Sequence, residues 1–285
     1  MGILLLLVNQ AVYQGYGMIT RHYFRKRGSG GLFFNAIICL FSMLFFVVTD
    51  KGGFNFSREL FAYGAISIVM FVAGFYSMFI AFQIGSYAIS ILLSSFSGVI
   101  AIVYGIVFLN EPAGIDTYIA ILLTFVSVFL MNSVKKGSEE SKDFSVKWLV
   151  CVLISLVANG FIAVLSRMQQ IRFDNNCDNE FMIISLGGAF VVLFIYGLIK
   201  ERNNVVTVLK HGTLYGMVTG VMNGAMNLVQ LLIYLYMPIS VATPIKTGLT
   251  TVCSFALSMV LYKEKFNAMQ ITGAVAGVVA LLLLV

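Results

Sequence analysis

The chain has 285 residues, of which 60% are hydrophobic and 11% charged, with a mean hydropathy of +0.96. A soluble domain carries about 25% charged residues, so a water-soluble globular fold is excluded and a bilayer is the expected solvent. The net charge of +6 sits in short loops between apolar runs, which indicates lipid contact and topology and gives no reason to expect nucleic acid.

The apolar runs are continuous and about 18 to 24 residues long, the length a membrane-spanning helix needs. Strands of a membrane barrel alternate apolar and polar residues over roughly ten positions, so a barrel is not expected. The sequence therefore predicts an all-α membrane protein with ten transmembrane helices, at 2–19, 32–48, 60–82, 87–109, 114–131, 148–165, 181–199, 214–236, 239–262 and 271–285.

The first run has no positively charged segment before it, so no cleavable signal peptide is expected, and its start lacks the hydroxyl residue of a myristoylation signal. It carries Gln10, Tyr13, Gln14 and Gly17 at relative spacings of three, four and seven, one helical face, with Asn9 adjacent. The third carries Tyr76 and Ser77. The fourth carries Ser90, Ser94 and Ser97 and ends GIVFLNEP, residues 105–112. The polar stretch 132–147, NSVKKGSEESKDFSVK, separates the fifth run from the sixth, which carries Ser155 and Asn159. The eighth run places Asn223, Asn227 and Gln230 on one face. The ninth does the same with Thr243, Lys246, Thr247 and Thr250, and closes with SMVLYKEK, residues 258–265. Gly273 and Gly277 form a GxxxG in the tenth, a signal of close helix packing within the fold or between protomers, so a homo-oligomer stays open.

The two halves are similar. QGYGMITRHY at 14–23 matches NGFIAVLSRM at 159–168, and GIVFLNEP at 105–112 matches SMVLYKEK at 258–265, offsets of 145 and 153 residues. The division is a first five-helix repeat over 1–132, a cytoplasmic linker over 133–147 and a second five-helix repeat over 148–285. Five crossings are an odd number, so the second repeat must enter the membrane from the other side, giving an inverted repeat.

Loops after runs 1, 3, 5, 7 and 9 hold 13 Lys and Arg. The opposite loops hold four, Lys51, Arg58, Arg167 and Arg172, and Lys246 is the remaining one of 18. Basic loops face the cytoplasm. A multi-pass protein of the cell (plasma or inner) membrane with both termini extracytoplasmic is expected.

Two five-helix halves, each with a Glu-containing turn before its last, small-residue helix, resemble the drug/metabolite transporter superfamily of the EamA type. The stretches that carry the likeness are 105–112 and 238–277, and the likeness spans nearly the whole chain outside the linker. It implies a secondary transporter or exporter of small metabolites, amino acids, drugs or nucleotide-linked compounds. It names no substrate, and its members are often drawn with cytoplasmic termini. It also gives the turn residues Glu111 and Glu264 a structural role at helix N-termini.

Polar groups in lipid need a partner or water. An inner ring of runs 1, 4, 6, 8 and 9, completed by run 3 through repeat symmetry, is therefore expected around a polar midplane cavity. The candidate substrate-binding residues are Lys246, Asn227, Asn223, Gln230, Gln14, Gln10, Tyr13, Asn159, Thr243, Thr247, Tyr76 and Ser94. The competing reading is interhelical bonding that holds a bundle together. It is favoured for Ser and Thr, whereas the four bonding valences of an amide are hard to satisfy in a dry seam. Lys246, about eight residues or roughly 12 Å into its run, is the sharpest candidate, because an intramembrane charge marks a functional site. Pro244, two residues earlier, frees the Ser240 carbonyl and favours a bend.

All 12 acidic residues lie in loops or at run ends. The buried Glu on which small multidrug exporters of this superfamily depend has no counterpart, so a cationic substrate is disfavoured and an anionic, zwitterionic or neutral one preferred. No HExxH, GxSxG or buried carboxylate pair argues for an enzyme. The four Cys show no metal or disulfide spacing. No cofactor or metal is expected. The partners are a small-molecule substrate and the bilayer. A lipid-carrier flippase and a passive channel remain the alternatives.

Overall fold

The computed structural model of the chain describes residues 1–27, 30–50, 52–53, 55–84, 90, 94, 96–111, 114–131, 145–262 and 268–284. Among them every regular element is helical. The order is α1 (Gly2–Arg27), α2 (Gly31–Thr49), α3 (Arg58–Ile84), α4 (Gly98–Phe108), α5 (Ile115–Met131), α6 (Val146–Arg172), α7 (Asp178–Lys200), a 3-10 turn (Arg202–Asn204), α8 (Val205–His211), α9 (Thr213–Tyr236), α10 (Ile239–Tyr262) and α11 (Ala268–Leu284). Linker residues 132–144, Glu264 and the first residues of the expected fourth run lie outside the described residues.

Six helices are individually long and apolar enough to cross a membrane: α1 over Gly2–Thr20, α2, α3 over Arg58–Ala81, α6, α7 and α9. Their outer faces are what lipid requires. On α6 the exposed side chains Leu149, Val150, Leu153, Ile154, Val157 and Phe161 alternate at helical spacing with buried Trp148, Cys151, Val152, Ser155 and Ala158. An apolar stripe on the outside costs nothing in hydrocarbon and would be a liability in water.

Polar contacts between helix ends sort the ends onto two faces. Glu201, just past α7, accepts the N–H of Leu32 at the start of α2 at 3.0 Å. Tyr23 near the end of α1 stacks on Phe34 of α2. These ends share one face. On the other, Asn179 at the start of α7 donates to Asp50 beyond α2 at 3.0 Å. Glu180 accepts the N–H of Asn55 at 2.8 Å, and Arg172 at the end of α6 pairs with Glu59 at the start of α3 at 2.7 Å. The start of α1 meets this second face, where Gly2 lies against Met237. Consequently α1 runs from the second face to the first and α6 from the first to the second.

The principal helix pairs are α5–α11, α3–α6, α2–α7, α2–α9, α1–α9 and α3–α7, followed by α10–α11, α4–α10, α1–α10, α5–α10 and α4–α6. The largest apolar core lies among α2, α3 and α7, built on Phe46, Leu60, Phe181, Leu186 and Leu193, with Leu165 from α6 and Leu231 from α9. Gly273, Gly277 and Ala280 of α11 are all buried, which places the GxxxG face inside the protein.

Two details differ from the sequence reading. The short helix α8 was not expected. It packs Val208 under Tyr23, Phe33 and Phe34, closing the first face. The fourth run is helical at Ser90 and Ser94 but is interrupted at Phe96 and Ser97 before α4 begins at Gly98, and Ser97 and Val99 donate there to the carbonyls of Ser94 and Phe96, each at 3.0 Å. Helix α10 runs through Pro244 as one helix over Ile239–Tyr262, the span the sequence predicts.

Candidate functional site

The polar stripes of α1, α9 and α10 converge. Lys246 Nζ donates to Gln230 Oε1 across the α9–α10 interface at 2.5 Å. One turn on, Thr250 Oγ1 lies 2.8 Å from Gln10 Oε1 of α1 and 2.8 Å from the Lys246 carbonyl. Gln14 Nε2 donates to the Thr250 carbonyl at 3.3 Å, and Asn9 Nδ2 donates to the Met226 carbonyl of α9 at 2.8 Å. Three helices are thus tied around one lysine. The stripe spacing explains it: residues three, four and seven apart lie on one face, and the Met237–Pro238 turn folds α9 back beside α10.

The bonding is unbalanced in a chemically informative way. Among the described residues Gln10 Nε2 is buried with no acceptor, and Thr243 Oγ1 is buried with no hydrogen bond within 3.5 Å, with the Tyr234 side chain beside it. Lys246 has three N–H donors and one described acceptor, a neutral amide. The Arg172–Glu59 pair is the one ion pair among the described residues, so Lys246 has no carboxylate partner among them. Tyr234, with its side chain against Gln230 and Thr243, closes the cluster on the α9 side. A buried donor without an acceptor costs about 1–3 kcal/mol, and more when charged. Among the described residues the cluster has surplus donors and no acid, a combination that suits an acceptor-rich group.

The other candidates are distributed as follows. Asn227 Nδ2 donates to Asn223 Oδ1 and to the Asn223 carbonyl, both at 3.0 Å, and Ser42 of α2 donates to Asn223 Oδ1 at 3.1 Å. This second polar group lies further along α9, toward its start. Thr247 bonds its own helix at the Thr243 carbonyl. Asn159 is exposed and donates to Ser155 of its own helix. Tyr76 shares a hydroxyl–hydroxyl bond with Tyr196 of α7 at 3.1 Å, away from the lysine cluster. Tyr13 is exposed, and Ser94, at a helical position, accepts the N–H of Ser97 at 3.0 Å ahead of α4. Ser42 and Tyr234 were not among the sequence candidates. A lone Ser in an apolar run and a Tyr near a helix end carry no spacing signal.

Helix α4 is held against this site from both ends. A Cβ at Gly98 would lie 2.8 Å from Thr243 Cγ2 and 3.6 Å from Thr247 Oγ1, so glycine permits the approach of α4 to the threonine face of α10. At the other end Asn110 adopts a left-handed φ of 49°, and the Glu111 N–H returns to the Gly105 carbonyl at 3.1 Å. The Glu111 carboxylate then accepts the N–H groups of Ile239 and Ser240 at 3.0 and 2.8 Å. The sequence reading placed this carboxylate at the helix that follows it in the chain, whereas it caps α10 instead, 128 residues away. The physical logic is the same, since the first N–H groups of a helix need acceptors and favour negative charge.

A family model described as the EamA-like transporter family matches residues 1–133 and 146–285. The chain belongs to the EamA-like transporter family. It is accordingly a membrane transporter of the drug/metabolite transporter type, and the members of this family are transporters and not enzymes. A search among curated proteins finds no match. A crystal structure titled only as that of a protein superposes on this EamA-like chain with a TM-score of 0.76, covering 99% of this chain and 95% of the other at 9% identity. At that identity the likeness speaks for the fold alone.

Proposed function

We propose that the protein is a secondary transporter that moves a small polar, anionic or zwitterionic metabolite, such as an amino acid or carboxylate, by alternating access through a midplane cavity. Export is the direction the family implies. The observation that carries the reading is Lys246, held inside the bundle with the neutral Gln230 as its one acceptor among the described residues, beside a Gln10 donor that has no acceptor among them. Lys246, Gln230, Gln10, Gln14, Thr243 and Thr247 form the proposed site, and Asn223 and Asn227 extend it along α9.

The reading includes ten crossings in two inverted five-helix halves. The opposite directions of α1 and α6 support it, as does the exchange of helix pairs. Under an inverted two-fold relation α1–α9 maps to α6–α3, α2–α9 to α7–α3 and α1–α10 to α6–α4, while α2–α7, α4–α10 and α5–α11 map to themselves, and all of these pairs occur. With the basic loops in the cytoplasm, the second face and both termini are extracytoplasmic.

A lipid-carrier flippase is the second reading. An open apolar groove of about 460 Å³ between α4 and α6, lined by Val99, Val103, Phe108 and Phe161 among others, favours it. Reconstitution in liposomes separates the two. Saturable counterflow of labelled amino acids or carboxylates, lost in Lys246→Ala and Lys246→Gln, is the expected result. Transfer of a fluorescent lipid without solute exchange would favour the flippase. Solute flux without saturation would leave a channel, and unchanged anion exchange in both lysine variants would remove Lys246 from the site.

A further inference from the structure

The corner between α6 and α7 gathers oxygen atoms that lack donors. Residues 173–177 join the two helices, and Asp174 and Asn175 take left-handed φ values of 50° and 60° where the chain reverses. The reversal sets Asp178, the first residue of α7, against Gln169 and Gln170 of α6. Gln170 Nε2 donates to Asp178 Oδ2 at 3.0 Å, and Gln169 Nε2 donates to Oδ1. Gln170 Nε2 also donates to the Leu231 carbonyl of α9 at 3.0 Å. An acid at a helix start ordinarily serves the first N–H groups of that helix. Here α7 has no side-chain cap, and both Asp178 oxygens accept from α6 instead. No cation balances the charge. Arg172 is taken by Glu59, and Arg167, whose charge reaches Asp178, makes no ion pair with it. The nearby acids Glu180 and Asp50 are engaged by the Asn55 N–H and by Asn179.

The two amide oxygens decide what this corner can hold. Gln169 and Gln170 are both 0% exposed, and the Oε1 of each is buried with no donor among the described residues. Each oxygen shares a carbon with a nitrogen that already meets Asp178, so both stand beside the carboxylate. A carboxylate, two orphaned amide oxygens and the Leu231 carbonyl therefore converge in one place. Burying an acceptor without a donor costs free energy, and burying an unpaired charge costs more. A hard cation relieves both, because carboxylate and carbonyl oxygens are its preferred ligands. One carboxylate balances one positive charge, whereas a divalent ion would leave net charge buried. No group of three or more His, Cys, Asp or Glu able to hold a metal occurs among the described residues, as a site with a single acid requires. Asp178 itself is only part-buried, which opens the corner to the second face.

We propose that Asp178, Gln169 and Gln170 bind a monovalent alkali cation of the sodium class. A half-turn of each amide head presents its oxygen to the ion where its nitrogen now meets the carboxylate. The Leu231 carbonyl, released by the Gln170 nitrogen, becomes a further ligand. Leu231 follows Gln230, the acceptor of Lys246, so occupancy of the corner acts on α9 beside the lysine. The site goes beyond the substrate reading, and only its link to transport rests on that reading.

The test uses the purified full-length protein in detergent, with the apparent Tm measured in sodium chloride and in choline chloride of equal concentration. A ligand that binds the folded state alone raises Tm with its concentration. Wild type should gain several degrees, saturably, in sodium and not in choline. Asp178→Asn keeps the shape and removes the charge, and should lose the gain. Gln169→Met removes one ligand, so half-saturating sodium should rise about tenfold or more. Equal Tm values of wild type in the two salts would overturn the proposal and leave the amide oxygens to a bridging water. A sodium gain retained in D178N would overturn it as well. If D178N does not fold, Q169M carries the test, and an unchanged half-saturation there would overturn the proposal. These readings involve no substrate, so they stand or fall apart from anion transport. In liposomes an inward sodium gradient should accelerate uptake of the transported amino acid or carboxylate by wild type. Uptake indifferent to the gradient, with the Tm gain intact, would overturn the link through Leu231.

Discussion

Glu111 and Ser240 sit 129 residues apart in the chain and 2.8 Å apart in space, carboxylate Oε2 to backbone N–H. Together with the bond to Ile239 this is a helix cap supplied from the turn after α4. Loss of a cap costs about 0.5–2 kcal/mol, and a bond to a charged group is worth about 1.5–3. Glu111→Ala is expected to destabilise the protein by about 2 kcal/mol and Glu111→Gln by less, since an amide oxygen still accepts. Thermal unfolding in detergent, followed through the single Trp148, measures it. An unchanged Tm in E111A would mean that α10 does not depend on this cap.

Gly105 makes that cap sterically feasible. A Cβ there would lie 2.5 Å from Glu111 Oε2 and 2.7 Å from Ile239 Cγ2. Gly105→Ala should therefore destabilise by displacing the carboxylate from α10, although alanine is intrinsically the better helix former. Because both substitutions remove the same contact, the double variant G105A/E111A should lose less than the sum of the two. Additive losses would show that Gly105 acts through something other than Glu111.

Glu201 gives a pH dependence. Burial pushes its carboxyl above the usual value of 4.5, partly offset by the N–H groups of Leu32 and Phe33. A carboxyl whose folded-state pKa is raised binds its proton more tightly in the folded state. Its contribution is fully present below the unfolded value and is lost as pH rises through the folded one. The apparent Tm of wild type should fall across a window that opens near 4.5 and extends upward. Glu201→Gln should flatten that part of the curve, and parallel curves for the two proteins would refute the assignment.

What could be read from sequence was what helical spacing encodes. Gln10 and Gln14, Asn223, Asn227 and Gln230, and Lys246 with Thr250 were visible as stripes because one face repeats every three or four residues, and the stripes do meet in pairs across α1, α9 and α10. The approach of distant helix ends was not encoded locally. Nothing near Glu111 announces Ser240, and nothing near Ser42 announces Asn223. Tyr76 shows the limit of repeat symmetry. In the proposed inverted repeat the position of its helix corresponds to that of α9, but the partner of its hydroxyl, Tyr196, depends on which side chains α7 presents.

Gln230 offers the most direct control on the charge of the site. Gln230→Glu places a carboxylate where the amide oxygen now accepts from Lys246 at 2.5 Å, supplying an internal counter-ion of nearly the same shape. The lysine would then be neutralised from within, and a substrate anion would have to displace a tethered one. Anion counterflow should fall by about tenfold or more while the apparent Tm holds or rises. Gln230→Met keeps the volume and removes the acceptor, leaving the ammonium buried without a partner, and should destabilise the protein by about 3 kcal/mol. The two variants separate electrostatics from packing. If Q230E transports anions as well as wild type does, the positive charge of Lys246 is not what the substrate meets, whatever the effect of Q230M on stability.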